Sequence, residues 1–221
     1  MIIAIDGPAG SGKSTVAQLI ASRLHFKYIE TGSMYRAVAW KAQQMGIDPE
    51  DAERIAEVAR TISIEFQPGN ERQKVVVDGK DLTADLKTET IGRLAAIVAA
   101  NKTVREVMVA QQQNMGRNGN VVMDGRDIGT VVFPDADKKF FMVADQKERA
   151  QRRHEEIRVK SPEVTFEKIY EQLQQRDFED ENREVSPLVP AKDSIRLDTT
   201  QMSIDDVVAH MIEIIGPVHS Q

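Results

Sequence analysis

The sequence contains no cysteine and no long apolar segment among its 221 residues. Without cysteine, neither a disulfide framework nor a thiolate metal site is possible. No apolar run approaches the roughly 18 residues that a membrane-spanning helix requires. The run at residues 1–5 ends at Asp6, which leaves no room for the apolar core of a secretory signal. We therefore expect a cytoplasmic protein with no membrane partner.

An excess of positive charge is also lacking. The chain has 29 Lys and Arg residues against 35 Asp and Glu residues, a formal net charge of -6 at pH 7. Nucleic-acid-binding proteins usually present a net basic face, so we expect no nucleic-acid partner. The balance does not exclude a small anionic ligand, because a local cluster of arginines is sufficient to bind one. The length suits one sizeable domain, or a core domain that carries a small insert.

Short apolar runs alternate with segments of helical periodicity along most of the chain. The runs that predict buried strands are residues 2–6, 28–29, 121–123, 140–143 and 195–198. Five short strands interleaved with helices predict an α/β fold, with a parallel sheet covered by helices on both faces. Residues 62–83 depart from this pattern, because apolar and polar residues alternate there between turn signals at Pro68-Gly69-Asn70 and Asp78-Gly79. They predict a small antiparallel β insert.

Apolar residues at helical spacing predict the remaining elements. The predicted helices cover residues 14–24, 33–45, 86–115, 146–159 and 166–175, with a last helix after Ser203. We expect the segment 86–115 to break near Asn101 into two helices. Ser203 and Asp206 have the spacing of a capping box, which marks the start of the last helix.

Residues 7–14 read GPAGSGKS and match the phosphate-loop pattern G-x-x-x-x-G-K-[ST]. The motif directly follows a predicted strand and opens a predicted helix, which is the context that this pattern requires. Its glycines let backbone N–H groups surround an anion, and the helix that follows adds the positive end of its dipole. The residues expected to bind ATP are Gly7, Pro8, Ala9, Gly10, Ser11, Gly12, Lys13, Ser14 and Thr15.

Two residues of this loop carry specific chemical expectations. Lys13 can reach the β- and γ-phosphates and is a predicted catalytic residue. The Ser14 hydroxyl is the predicted protein ligand of Mg²⁺, the metal that accompanies ATP.

The class of nucleotide protein follows from motifs that are missing. No glycine follows an aspartate at the D-x-x-G spacing, and Asn101-Lys102 lacks the aspartate of a guanine-recognition motif, which argues against a GTPase switch. A motor-type ATPase would normally end a hydrophobic strand in Asp-Glu, whereas the strand at 121–123 is followed by Asp124-Gly125. The pattern favours a small-molecule kinase.

A predicted helix after the fourth strand is rich in arginine. Arg149, Arg152 and Arg153 share one helical face, and Arg158 follows. A mobile helix of this kind can close over the transferring phosphoryl group, so Arg149 and Arg153 are predicted catalytic residues of a lid. The alternative is a solvated helix whose arginines pair with neighbouring glutamates: Glu148, Glu155 and Glu156.

The sequence resembles bacterial cytidylate kinases over essentially its whole length. The segments that carry the resemblance are residues 7–15, TGSMYR at 31–36, DGRDIGTVVFPDA at 124–136, 176–183 and SPLVPA at 186–191. The resemblance implies a P-loop kinase core at residues 1–32, 117–145 and 186–221. It also implies a monophosphate-binding region at 33–116, which contains the β insert, and a helical arginine-rich lid at 146–185.

The same resemblance implies the reaction and the acceptor site. The family transfers a phosphoryl group from ATP to CMP, giving ADP and CDP, with dCMP as a second acceptor. Thr31, Arg105, Asp127 and Arg183 would contact the cytosine and the nearby monophosphate pocket. Arg36 and Arg126 would hold the acceptor phosphate, with Arg126 also catalytic, and Arg176 and Asp180 would hold the ribose. The protein is expected to act as a monomer.

These implied roles agree with the chemistry of the acceptor. The second pKa of a monophosphate is near 6, so the attacking oxygen is already ionised at pH 7 and needs no general base. A carboxylate can accept a hydrogen bond from the cytosine amino group, whereas uracil presents a carbonyl there. Asp127 is therefore a predicted specificity residue, or else an ion-pair partner of Arg126 or Arg105. Asp124 either orients Mg²⁺ through water or accepts backbone donors.

Two other functions stay open on the sequence alone. One is a broader kinase that accepts both UMP and CMP. The other is a nucleotide-dependent regulatory protein without catalysis, against which the intact Lys13, Ser14 and arginine clusters argue.

Overall fold

The computed structural model describes residues 1–69, 73–159 and 161–217. The chain divides into two compact units. The core unit consists of Met1–Lys27 and Gly119–Gln221, and the inserted unit is Tyr28–Asn118.

The described residues form eight strands and eight α-helices. The strands are β1 (Ile2–Asp6), β2 (Lys27–Glu30), β3 (Ile64–Gln67), β4 (Lys74–Val77), β5 (Lys80–Asp81), β6 (Val121–Gly125), β7 (Lys138–Val143) and β8 (Ile195–Asp198). The helices are α1 (Lys13–Leu24), α2 (Thr31–Gln44), α3 (Ala52–Thr61), α4 (Glu89–Ala100), α5 (Lys102–Gly116), α6 (Gln146–Arg158), α7 (Phe166–Asn182) and α8 (Ile204–Ile215). A short 3₁₀ helix covers Asp85–Lys87, and a π-helical turn covers Ile128–Val132.

The predicted parallel sheet is confirmed. It has five strands in the order β2-β6-β1-β7-β8, and β1 pairs in parallel with both β6 and β7. The central strand β1 is buried on both faces, since Ile3 and Ile5 are fully buried on one face and Ala4 is buried on the other. Asp6 lies opposite Gly125 in the register. The loops that follow β1 and β6 therefore leave the same edge of the sheet, where parallel α/β folds bind ligands.

The predicted antiparallel insert is also confirmed. Strands β3, β4 and β5 form a separate three-stranded sheet, in which Ile64 pairs with Val77. The turn at Asp78-Gly79 joins β4 to β5, with positive φ angles of 49° and 80°. The turn signal at residues 68–70 ends at residue 70, which lies outside the described residues.

The predicted break near Asn101 is present, because this residue ends α4 and begins α5. Its Oδ1 accepts a hydrogen bond from the Val104 N–H at 3.1 Å. The capping box is present as well, with Ser203 Oγ accepting from the Asp206 N–H at 3.2 Å. Some features differ from the sequence-based pattern, among them the extents of two helices. Helix α3 was not among the predicted helices, and α7 continues to Asn182 rather than ending at residue 175.

A large apolar cluster of described residues forms the core of the inserted unit. It includes Met34 and Val38 of α2, Leu82 and Leu86 beside the small sheet, and Met108 of α5. No helix within the described parts of the chain is long and apolar enough to cross a membrane.

Candidate active site

The phosphate loop follows β1, and steric contacts require glycine at its first position. Gly7 has φ 149°, and a Cβ added there would lie 2.1 Å from the backbone oxygen of Met142 in β7. Gly12, with φ 86°, is the residue that precedes α1. Both positions have backbone angles that other residues rarely adopt, which explains why the motif uses glycine.

Lys13 is the first residue of α1, and its side chain turns back onto the loop. It is 5% exposed, and its Nζ donates a hydrogen bond to the Pro8 carbonyl at 2.7 Å. Burial lowers the pKa of Lys13 to about 7, and the charge of Arg126 acts in the same direction. Asp124 and Asp180 oppose this shift. A bound anion would favour the protonated form, so Lys13 is suited to hold a phosphate.

The Ser14 hydroxyl and Asp124 lie in contact. Ser14 Oγ donates to Asp124 Oδ2 at 2.8 Å, which brings the start of α1 to the end of β6. Hard cations such as Mg²⁺ bind oxygen, keep several waters, and take only one or two protein ligands when phosphates supply the others. This pair fits that requirement. Within the described ranges no three His, Asp or Glu side chains group as a metal site of their own.

The remaining loop residues differ in exposure. Pro8 and Ser11 are buried, and Ser11 Oγ donates to the Pro8 carbonyl at 3.1 Å. Ala9 is 8% exposed and packs in a small apolar cluster with residues of α6 and α7. Gly10 and Thr15 are exposed.

Arg126 and Asp180 form an ion pair in the core unit. Arg126 Nε donates to Asp180 Oδ2 at 2.7 Å, and Arg183 Nη1 lies 3.6 Å from the other carboxylate oxygen. Burial alone would raise the pKa of Asp180, but the charge and hydrogen bond of Arg126, together with the charges of Arg176 and Arg183, lower it. The structure thus brings together four predicted residues from two separate motifs, residues 124–136 and 176–183.

Asp127 begins the π-helical turn. It is 4% exposed, and its carbonyl accepts hydrogen bonds from the N–H groups of Val131 at 2.9 Å and Val132 at 3.2 Å. Its carboxylate is close enough to Asp6 to contribute to the raised pKa of that residue.

Asp6 is a buried residue of this region that sequence reasoning missed. Burial raises its pKa to about 6, although hydrogen bonds from the N–H groups of Gly129 and Ile128 act in the opposite direction. The available signal was an acidic residue at the end of an otherwise apolar strand, directly before the phosphate loop.

The arginines of α6 have different surroundings. Arg149 is 5% exposed and donates to the Ala9 carbonyl at 2.8 Å and the Ala144 carbonyl at 3.0 Å. Its third contact is to Asp177 Oδ2 of α7 at 2.6 Å. Arg149 of α6 therefore connects the phosphate loop to α7. Asp177 was also missed, because the sequence presents it only as one acidic residue among several.

Arg152 and Arg153 both make contacts within α6. Arg152 pairs with Glu148 at 3.3 Å and donates to the Thr199 carbonyl at 2.9 Å. Arg153 pairs with the exposed Glu156 at 2.7 Å.

The other three predicted acceptor residues belong to the inserted unit. Thr31 is buried at the start of α2. Arg36 of the same helix donates to the Leu86 carbonyl at 2.8 Å and packs against Gly92. Arg105 of α5 is 2% exposed, and its guanidinium lies 5.3 Å from the centre of the Tyr35 ring. Within this unit, α2 and α5 thus bring basic and aromatic side chains together.

Comparison with known proteins identifies the family. A family model described as Cytidylate kinase matches residues 3–216. The cytidylate kinase of Limosilactobacillus reuteri (strain DSM 20016) is 48% identical over 214 residues, covering 96% of this chain and 94% of the relative. The cytidylate kinase of Bacillus cereus (strain G9842) is 46% identical over 219 residues, covering 99% and 97%.

A solved structure gives a weaker match. The shikimate kinase of Bacteroides thetaiotaomicron is 11% identical with a TM-score of 0.49, covering 97% of this chain and 98% of the other. Nothing is inferred from likeness at this level. The family model and the curated relatives each span nearly the whole chain, and the chain therefore belongs to the cytidylate kinase family.

Proposed function

We propose that this protein transfers the γ-phosphoryl group of ATP directly to CMP, giving ADP and CDP, with dCMP as a second acceptor. The similar relatives are named cytidylate kinases, and this supports CMP as the acceptor. The observation that carries the chemistry is a buried lysine and a partly buried arginine that follow adjacent parallel strands. Lys13 follows β1 and Arg126 follows β6, close enough for Arg126 to lower the pKa of Lys13.

On the donor side, the phosphate loop would bind ATP through residues 7–15. Its backbone N–H groups and the N-terminus of α1 favour negative charge, and Lys13 adds a full positive charge to the β- and γ-phosphates. Ser14 would bind Mg²⁺ directly, and Asp124 would hold the metal's water. Bound there, the metal would neutralise phosphate charge, which is the main barrier to attack by an anionic acceptor.

On the acceptor side, we assign CMP binding to eight residues: Thr31, Arg36, Arg105, Arg126, Asp127, Arg176, Asp180 and Arg183. Arg36 and Arg126 would each bind two oxygens of the acceptor phosphate, which the planar guanidinium does better than an ammonium group. Arg176 and Asp180 would hold the ribose. Asp127 would accept a hydrogen bond from the cytosine amino group. These assignments make residues 33–116 the monophosphate-binding region.

No general base is assigned. The acceptor oxygen is ionised at neutral pH, so the protein's contribution is to align the two phosphates and to stabilise negative charge in the transition state. Arg149 and Arg153 of the lid, residues 146–185, would add positive charge near the transferring group and exclude water. The reaction would take place in the cytoplasm, where ATP is available, with the protein acting as a monomer.

The test is an ADP-release assay with CMP, dCMP, UMP and AMP as alternative acceptors. We expect the highest kcat/KM with CMP, a lower value with dCMP, and little turnover of UMP or AMP. Equal turnover of UMP and CMP would replace the proposal with a broader pyrimidine kinase, which the relatives' names do not favour. ADP release without any acceptor dependence would contradict it outright.

A further inference from the structure

Asp6 is a buried carboxylate for which the proposed reaction has no direct use. It is the last residue of β1, and 4% of its surface is exposed. Its Oδ1 accepts a hydrogen bond from the Ile128 N–H at 2.9 Å, and its Oδ2 accepts one from the Gly129 N–H at 2.8 Å. Both oxygens are therefore occupied by one short backbone segment that is far away in the sequence.

That segment is the start of the π-helical turn. Its internal hydrogen bonds run from the Val132 N–H to the Asp127 carbonyl at 3.2 Å and from the Phe133 N–H to the Ile128 carbonyl at 2.7 Å. The first N–H groups of any helical turn have no acceptor inside it. Here those groups belong to Ile128 and Gly129, and the Asp6 carboxylate satisfies both in a buried environment.

Lys139 limits movement of the turn on its other side. A Cβ added to Gly129 would lie 3.2 Å from Lys139 Cδ and 3.4 Å from Asp6 Oδ2. Lys139 Nζ in turn donates to the Pro134 carbonyl and to both oxygens of Asp193, the latter at 2.9 and 2.8 Å. Gly129 is thus held between a carboxylate and an aliphatic chain, and a larger residue would displace the turn.

We propose that Asp6 is a positioning residue, which fixes the backbone that presents Arg126 and Asp127 to the acceptor nucleotide. Arg126 and Asp127 directly precede the two N–H groups that Asp6 holds. A small rotation of this backbone would move both side chains, and an acceptor phosphate misplaced by about 1 Å reacts far more slowly. The inference rests on the proposed function, since it assigns these two residues to CMP.

The experiment compares Asp6→Asn with Asp137→Asn in steady-state kinetics for both substrates. Asparagine keeps the size of the side chain but has only one oxygen, so one buried N–H loses its acceptor. We expect kcat/KM for CMP to fall about tenfold or more, while the KM for ATP stays near that of the wild type. Amide hydrogen exchange should be faster at Ile128 or Gly129.

Asp137→Asn is the matched control. Asp137 Oδ2 accepts from the Ile2 N–H at 2.6 Å, a carboxylate contact at the opposite end of the same strand. We expect wild-type kinetics for this variant, because the contact lies away from Arg126 and Asp127 in the strand register.

An unchanged kcat/KM for CMP in Asp6→Asn would overturn the inference. The inference would also be overturned if the KM for ATP rose as much as the KM for CMP. A wild-type protein that does not phosphorylate CMP would instead contradict the proposed function. If Asp6→Asn does not fold, Gly129→Ala tests the same contact from the other side. Gly129→Ala should also lower kcat/KM for CMP while leaving the KM for ATP unchanged. Wild-type kinetics in this variant would also overturn the inference.

Discussion

The core unit and the inserted unit bury different kinds of side chain. Among the residues that the structure describes, the core unit buries six acidic or basic side chains: Asp6, Lys13, Asp124, Asp127, Lys139 and Arg149. The inserted unit buries one, Arg105, together with a continuous apolar cluster.

Withdrawing a charge from water costs free energy unless partners compensate. In the core unit, several of these buried charges belong to the proposed phosphate site, whereas the inserted unit is stabilised by apolar packing. We therefore expect substitutions in the two units to have different effects. Substitutions at buried charges of the core unit should change activity more than stability. Substitutions in the apolar cluster should change stability more than activity.

The largest expected effect is that of Lys13→Met on activity. Loss of the positive charge beside the transferring phosphoryl group should lower kcat about 10³-fold, equivalent to about 4 kcal/mol. The melting temperature should not fall. Burial lowers the pKa of Lys13 to about 7, which shows that its folded environment disfavours the ammonium form, and Met avoids that cost. Steady-state kinetics and thermal melting measure both quantities.

Lys138→Met is the control for this substitution. Its Nζ donates to the Ile214 carbonyl at 2.9 Å, outside the predicted site, so kcat should be unchanged. Retention of more than a tenth of the wild-type kcat in Lys13→Met would contradict the role assigned to Lys13.

The next effect in size is that of Leu82→Ala on stability. Leu82 is fully buried in the apolar cluster of the inserted unit. The lost contacts and the resulting cavity should lower the free energy of unfolding by about 3 kcal/mol, measured by urea denaturation. The KM for ATP of the folded enzyme should not change. Ile97→Ala, at a 44% exposed position of α4, should lower the free energy of unfolding far less. An equal loss of stability in the two variants would contradict the stabilising role of the apolar cluster.

Much of the fold was predictable because it depends on local patterns. Alternating strands and helices, the Asn101 break and the turn at Asp78 all follow from residues that are close in sequence. The π-helical turn at Ile128–Val132 was not predictable, because its first N–H groups donate to Asp6, which is more than 120 positions away in the sequence. Helix α3 has a local start signal, with the Asp51 side chain accepting from the Arg54 N–H, and a closer reading of the sequence could have found it.

A smaller effect, confined to specificity, is expected for Asp127→Ala. If Asp127 accepts a hydrogen bond from the cytosine amino group, its removal deletes that contact and also the penalty against the uracil carbonyl. The ratio of kcat/KM for CMP to that for UMP should fall about 10- to 100-fold. Asp135→Ala, at an exposed position of the same segment, should keep the wild-type ratio. An unchanged ratio in Asp127→Ala would favour a purely structural ion-pair role.

The chemistry of the candidate site was predictable to the extent that a motif defines it. Lys13 and Ser14 follow from the phosphate-loop pattern, and the resemblance to a family supplied the acceptor residues. The contacts that hold these residues in place were not predictable. Arg149 binds the Ala9 carbonyl and Asp177, at separations of 140 and 28 residues, and no local pattern encodes such a pairing.

The smallest expected effect is that of Arg153→Ala in the lid. Arg153 is 35% exposed and pairs with Glu156, which is 67% exposed, so the contact itself contributes little to stability. If Arg153 approaches the transferring phosphoryl group, kcat should fall about fivefold, roughly 1 kcal/mol, while the KM for CMP stays constant. Glu156→Gln removes the competing carboxylate and should leave kcat unchanged or slightly higher. If only the affinity for CMP falls, Arg153 belongs to the acceptor site. If neither kcat nor KM changes, Arg153 is a solvated arginine without a role in the reaction. In either case Arg149, buried against the phosphate loop, would be the remaining lid arginine for which we predict a catalytic role.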